Sequence, residues 1–167
     1  MTLEPLDTPG RLRLAAGWIS EKENAQWLDF GEGRQTLSPE WLKIAIQRGT
    51  QAVRLFTSDE GRPIGVVGLG SINRDFRTAN LWVVLGDKSV AGRGYASRAV
   101  SAMLTIGFRE LGLHAINTWI VEHNPSVRVA ARVKFRPMGR QRQCHYIDGR
   151  VYDRLWYDLL ASEHHEI

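Results

Sequence analysis

The sequence predicts a mixed α/β fold, a central and mostly antiparallel sheet of about seven strands flanked by helices. Three observations lead there. Short apolar runs rich in β-branched residues recur at residues 52–57, 64–71, 78–85 and 115–121. Residues 38–48 and 95–111 instead space their apolar side chains three and four apart, as helices packed on one face do. Two connections, Asp59-Glu60-Gly61-Arg62-Pro63 and Asp148-Gly149, are turn sequences that fold the strands beside them into hairpins.

Taken in order, residues 11–14, Arg-Leu-Arg-Leu, alternate like a strand, and the polar stretch 20–30 reads as helical. Ser38 is an N-cap with Pro39 at the first helical position, and Gly49 follows the apolar Trp41, Leu42, Ile44, Ala45 and Ile46. The hairpin of 52–57 and 64–71 is followed by a neighbouring strand at 78–85. The helix 95–111, closed by Gly112, then crosses right-handedly to the strand 115–121. A short helix at 126–133 and the final hairpin complete the chain. No internal repeat, linker or low-complexity tract interrupts it.

At 167 residues with 43% hydrophobic and 24% charged positions, the chain has the size and composition of one globular domain. Cys144 is the single cysteine, so no intramolecular disulfide and no cysteine-based zinc cluster can form; no metal site is expected, and a reducing, cytoplasmic setting is. The first residues lack a charged head followed by an apolar run, as a secretory signal would have, and no stretch approaches the roughly 20 apolar residues of a membrane span. The net charge of +4 favours an anionic partner. From His123 to Ile147 there is no acidic residue, while Arg128, Arg132, Lys134, Arg136, Arg140 and Arg142 are all basic.

Between the strand ending at Leu85 and the helix starting near Tyr95 lies Gly86-Asp87-Lys88-Ser89-Val90-Ala91-Gly92-Arg93-Gly94-Tyr95-Ala96-Ser97. A strand, a glycine loop and a helix N-terminus together bind anions. Glycines let backbone approach a ligand, and the free N–H groups of the first turn favour phosphate. The loop carries neither Gly-Lys-Ser/Thr nor the dinucleotide G-x-G-x-x-G spacing, which removes both of those nucleotide-binding readings. A helix that merely begins after a glycine turn is the plain alternative.

The run Gly92-Arg93-Gly94-Tyr95-Ala96-Ser97 resembles the acetyl-CoA pyrophosphate loop of the GNAT acetyltransferases, [Gln/Arg]-x-x-Gly-x-[Gly/Ala], with Gly94 and Ala96 on its last positions and Ala91 where the pattern has Gln or Arg. Phe135, Gly139, Asp148-Gly149-Arg150 and Tyr152-Asp153 are similar to the closing segment of the branch that resembles ribosomal-protein alanine acetyltransferases. The resemblance runs from the first strand to Leu160. It implies an acetyl-CoA-dependent N-acetyltransferase in which an amine attacks the thioester directly.

The same resemblance implies the site. A splayed strand at Trp82, Val83, Val84 and Leu85 would bind pantetheine through its backbone, and residues 91–97 (Ala91, Gly92, Arg93, Gly94, Tyr95, Ala96 and Ser97) would hold the pyrophosphate. Arg128 and Arg132, one helical turn apart, would meet the CoA phosphates. The tyrosine that usually protonates the leaving thiolate falls on Ala130, so Ser126, one turn earlier, takes that role in the resemblance, or else simply caps its helix. Asn124 belongs to the same cofactor set, one residue after the position where the branch has asparagine and this chain has His123. Lys134 stands where the branch has glycine. The branch's glutamate base falls on His145, beside Tyr146, for which a surface histidine on an exposed strand is the favoured plain alternative; Glu122 and then His123 are further candidates. The acceptor amine, on a small molecule or a protein N-terminus, would be met by residues 20–48 and the final hairpin, where Trp18, Trp27 and Trp41 either line a cleft or fill the core. The family often forms homodimers, and these residues leave that open. An acetyl-CoA-binding protein without catalysis is the nearest rival. A nucleic-acid binder is further off, because no recognition motif accompanies the basic segment.

Overall fold

The computed structural model describes residues 1–30 and 37–167. Seven strands form one sheet in the order β1-β2-β3-β4-β5-β7-β6: β1 (Leu3–Pro5), β2 (Ala52–Thr57), β3 (Pro63–Asn73), β4 (Thr78–Leu85), β5 (Ala115–Val121), β6 (Arg136–Ile147) and β7 (Arg150–Leu160). Every pairing is antiparallel except β4 with β5. The parallel pair is bridged by α4 (Tyr95–Thr105), which runs on into a π-helical turn over Ile106–Glu110 and stops at Gly112, whose φ is 66°. The final hairpin turns at Asp148 and Gly149, both at positive φ as a tight two-residue turn requires.

Two elements differ from the reading of the sequence. Residues 11–14 are not a strand: they lie inside α1 (Pro9–Ser20), where the side chain of Thr8 caps the amide of Arg11 and Pro9 opens the helix. Leu12, Ala15, Ala16 and Ile19 form its buried stripe, so the alternation of four residues was the start of a longer helical period. Of the polar stretch 20–30, only Ser20, which ends α1, and α2 (Lys22–Ala25) are helical. The remaining helices, α3 (Pro39–Gln47) and α5 (Val127–Arg132), stand where the sequence places them, and Ser38 caps α3 by accepting from the amide of Trp41. Among the described residues no helix is long and apolar enough to cross a membrane. The part of the expected acceptor region at 31–36 lies outside the described residues.

Whereas most of β6 is exposed, the sheet is buried on both faces through β2, β3 and β4. On one, Leu12, Ile19 and Leu42 pack on Val53, Leu55, Val66 and Val84; on the other, Ala99, Val100, Met103 and Leu104 of α4 pack on Val67, Leu69, Leu81 and Ile116. Neighbours such as Val66 and Val67 serve opposite layers, as the pleat dictates. Gly68 lies directly under the indole of Trp82, its partner across β3 and β4; a Cβ there would sit 2.5 Å from the ring.

The sheet's central feature is that β4 and β5 pair for only three register positions, Thr78 with Ala115, Ala79 with Ile116 and Asn80 with Asn117. Beyond them β4 continues to Leu85 and β5 to Val121 without pairing to each other. At the fork the Asn80 amide donates to Asn117 Oδ1 at 2.8 Å, and the Thr118 hydroxyl donates to the Leu81 carbonyl at 2.9 Å. The backbone edge of β4 from Leu81 onward therefore faces an opening instead of a strand.

Candidate active site at the fork of the sheet

Two cavities meet in that opening. One, of about 520 Å³, runs from Val83, Val84 and Leu85 along the loop to the start of α4 and the face of α5. The other, of about 390 Å³, lies toward α3 and the segment after α2. Trp27, Leu28, Val83, Asn124, Ser126 and Val129 line both, so the two form one continuous passage.

The larger cavity fits a phosphate-bearing ligand by its chemistry. Gly94 adopts φ 82°, a left-handed conformation that glycine tolerates best, and its side-chain-free N-cap offers no capping bond. The first backbone bond of α4 runs from the Arg98 amide to the Gly94 carbonyl, so the amides of Tyr95, Ala96 and Ser97 precede any intrahelical partner, and no acidic residue sits in this turn. The Arg132 guanidinium reaches over the loop, 3.3 Å from where a Cβ on Gly94 would be, and Arg128 lines the same cavity. Three free amides and the Arg132 guanidinium thus stand at the head of α4, with Arg128 on the wall of the same cavity, a donor set suited to an anion.

Of the cofactor residues read from the sequence, Val83, Val84, Leu85, Ala91, Gly92, Gly94, Tyr95, Ala96, Ser97, Asn124, Arg128 and Arg132 all line this cavity. Trp82 lines the smaller cavity, and Arg93 lines neither. Lys88, which the sequence reading passed over, lines it too: its ammonium donates to the Leu85 carbonyl at 2.7 Å and to the Asn24 side chain, and burial lowers its pKa. Asn24, Trp27 and Leu28 join from the segment around α2. Lys88 was signalled by its place inside the glycine loop; the other three carried no signal in a stretch that looked uniformly helical.

Ser126 stands at the border between the cavities, at the N-terminus of α5. Its hydroxyl makes no capping bond; instead its amide donates to Asn124 Oδ1 at 2.8 Å, so the asparagine shapes the turn and the serine hydroxyl is not used by the helix. The lateness of Asn124 is accommodated by His123, which takes φ 69° and turns its exposed ring outward. Lys134 likewise adopts φ 65°, a left-handed conformation that glycine tolerates best.

The candidate bases lie elsewhere. Glu122 accepts the Asp153 amide at 2.9 Å on one oxygen and Arg140 at 3.1 Å on the other. His145 is buried, with Nε2 2.6 Å from the Gln26 carbonyl and Nδ1 accepting from Arg154 at 3.0 and 3.2 Å, which fixes the neutral tautomer with its proton on Nε2. Burial first, and then the charge of Arg154, lower its pKa. Arg154 also pairs with Asp29 at 3.0 Å and lies 3.9 Å over the ring of Trp119. Neither Glu122 nor His145 lines either cavity. The basic segment divides in the same way: Arg128 and Arg132 face the larger cavity, whereas Arg136 pairs with Glu163 and Arg140 with Glu122 and Asp153.

Comparison with known proteins agrees with this fold. Residues 1–136 match the family model described as an acetyltransferase (GNAT) domain. The chain is 28% identical to "Putative ribosomal N-acetyltransferase YdaF" of Bacillus subtilis (strain 168), covering 96% of this chain and 90% of that protein. It is 29% identical to "Uncharacterized N-acetyltransferase p20" of Bacillus licheniformis over 72% of this chain and 68% of that one. Among solved structures, the spermidine N-acetyltransferase of Vibrio cholerae in complex with CoA and spermine superposes with a TM-score of 0.83 at 23% identity, over 97% of this chain and 96% of that one.

The chain therefore belongs to the GNAT acetyltransferase family. It is an N-acetyltransferase that uses acetyl-CoA as co-substrate and an amine as acceptor.

Proposed function

We propose that the larger cavity is the acetyl-CoA cleft, the smaller one the acceptor cleft, and Ser126 the proton donor to the departing thiolate. The observation that carries this reading is the position of Ser126, on the lining of both cavities with its hydroxyl unused by the helix it begins. Acetyl-CoA supplies the activated acyl group. The amides of Tyr95, Ala96 and Ser97 with Arg128 and Arg132 hold its phosphates, and the unpaired edge of β4 from Leu81 to Leu85 receives its pantetheine arm. The amine enters through the acceptor cleft and attacks along the passage at Ser126, which orients the reactants along one path.

Glu122 and His145 are placed outside the proton relay in this reading. Both have their acceptor atoms engaged, Glu122 by Arg140 and the Asp153 amide and His145 by Arg154, and neither lines the passage. The amine's proton then passes to water in the cleft. His145 with Arg154 serves instead to hold the segment of Gln26 and Asp29 against the hairpin.

The acceptor is an amine on a small molecule, as for the spermine-binding structural neighbour, or on a protein N-terminus, as the name of the Bacillus relative suggests. The domain acts as a unit, and the lone Cys144 suits a reducing cytoplasm. Calorimetric titration with acetyl-CoA, then thiol release over a panel of amines, tests the reading: saturable binding with turnover that Ser126→Ala suppresses supports it, and an absence of acetyl-CoA binding refutes it.

A further inference from the structure

We propose that the acceptor cleft selects amines carrying a single charge on an aromatic or bulky apolar body, and disfavours polyamines. The proposal rests on the assignment of the 390 Å³ cavity as the acceptor site. Six aromatic residues line that cavity: Trp27, Phe30, Trp41, Trp82, Trp119 and Phe135. They form braced panels. Phe30 meets Trp82 edge to face at 5.1 Å and 88°, and Trp41 at 6.2 Å and 63°, while Trp119 is backed by the Arg154 guanidinium. Two polar atoms of this wall, the Trp82 indole N–H and the Gln51 amide oxygen, are buried without a hydrogen-bond partner.

The charge inventory points the same way. Among the described residues, Asp29 is the one acidic side chain on the lining, and its Oδ2 is bound by Arg154 at 3.0 Å. A polyamine brings several ammonium groups, each of which is costly to desolvate without its own anionic partner. One carboxylate already neutralised by a guanidinium does not supply them. A single ammonium, by contrast, is received by indole faces on entry. Once inside, apolar walls disfavour its charged form and lower its pKa toward the neutral amine that attacks the thioester. The lining thus performs part of the task that a dedicated base would otherwise perform.

The test compares phenylalanine amide, glycinamide and spermidine in the thiol-release assay, with binding of each to the CoA-loaded protein measured by calorimetry. Phenylalanine amide is expected to exceed both others in kcat/KM by on the order of tenfold or more. Trp41→Ala is expected to erase most of that advantage. Trp41 is 41% exposed and lines the acceptor cavity alone, so its removal should leave acetyl-CoA affinity unchanged and the core intact. Spermidine equal to or better than phenylalanine amide, or a ratio that Trp41→Ala does not move, overturns the proposal while leaving the acetyl-CoA reading standing. If none of the three is acetylated, their relative binding decides: no preference for phenylalanine amide overturns it. Failure to bind acetyl-CoA at all is a different result and strikes the cleft assignment itself.

Discussion

The Thr118 hydroxyl donates to the Leu81 carbonyl at 2.9 Å, one position beyond the last backbone pair between β4 and β5, Asn80 with Asn117. A side chain thus makes the rung that the strands themselves no longer make, and the fork begins behind it. Thr118→Val keeps the shape and removes the donor from a buried carbonyl. It is expected to cost about 1–3 kcal/mol of stability, measured by urea denaturation, and to weaken acetyl-CoA binding because the fork loses its fixed edge.

Ser126→Ala should separate chemistry from folding. The hydroxyl makes no capping bond, so the melting temperature is expected to stay close to that of the parent protein. Acetyl-CoA affinity should change little, while kcat falls by roughly 10²-fold if proton delivery to the thiolate is lost. A normal kcat in this variant would assign the proton to solvent.

Arg132 of α5 reaches Gly94 at the head of α4, and the proposed phosphate site draws on both. Arg132→Ala is expected to raise the acetyl-CoA dissociation constant by roughly tenfold or more, the scale of a charge-assisted hydrogen bond of about 1.5–3 kcal/mol. Gly94→Ala should do likewise for two reasons, a residue forced to φ 82° and a Cβ 3.3 Å from the guanidinium. An acetyl thioester lacking the nucleotide would feel neither change, so comparing the two donors in the thiol-release assay isolates the phosphate contacts.

His145 and His164 give the fold an acid limit. Burial is the leading cause that lowers the pKa of each below the ordinary value near 6.5. In the window between the folded and unfolded values the unfolded chain binds more protons, so stability rises with pH there. It is complete above about pH 6.5 and declines as the pH falls toward the depressed folded values. Protonation of His145 Nδ1 would also set a new charge against Arg154 from β7, with Asp29 of the segment after α2 the facing carboxylate. His145→Gln can keep a donor to the Gln26 carbonyl and an acceptor for Arg154, and should flatten part of this slope. Urea midpoints at pH 7.5 and 5.5 for the parent and variant would show it.

The glycine loop and the helix it feeds were legible because they are local: strand, glycines and helix start are consecutive, and Arg128 and Arg132, one turn apart, line the same cavity. Strands 78–85 and 115–121 were legible for the same reason, as short β-branched runs bounded by breakers. The start of the chain was misread because four alternating residues fit both periods, and only the cap at Thr8 and the stripe reaching Ile19 decide for helix. The engagement of His145 could not be read at all. Its partners, Gln26 and Arg154, come from the segment after α2 and from β7, and nothing in the spacing of the chain announces a contact made through the fold. Trp18, Trp27 and Trp41 looked alike in sequence, yet Trp18 packs on Gly86 while the other two line the passage.

The fork also makes the sheet two arms held at a narrow waist, three backbone pairs and two side-chain bridges wide. A molecule seated between the arms acts as mortar as well as substrate. Because only the folded chain offers that seat, occupancy adds stability by mass action, about 2.7 kcal/mol when the ligand stands at a hundred times its dissociation constant. The lifetime of the protein against proteolysis is thereby tied to the supply of its acyl donor: a cell short of acetyl-CoA would hold less of the enzyme as well as running it more slowly.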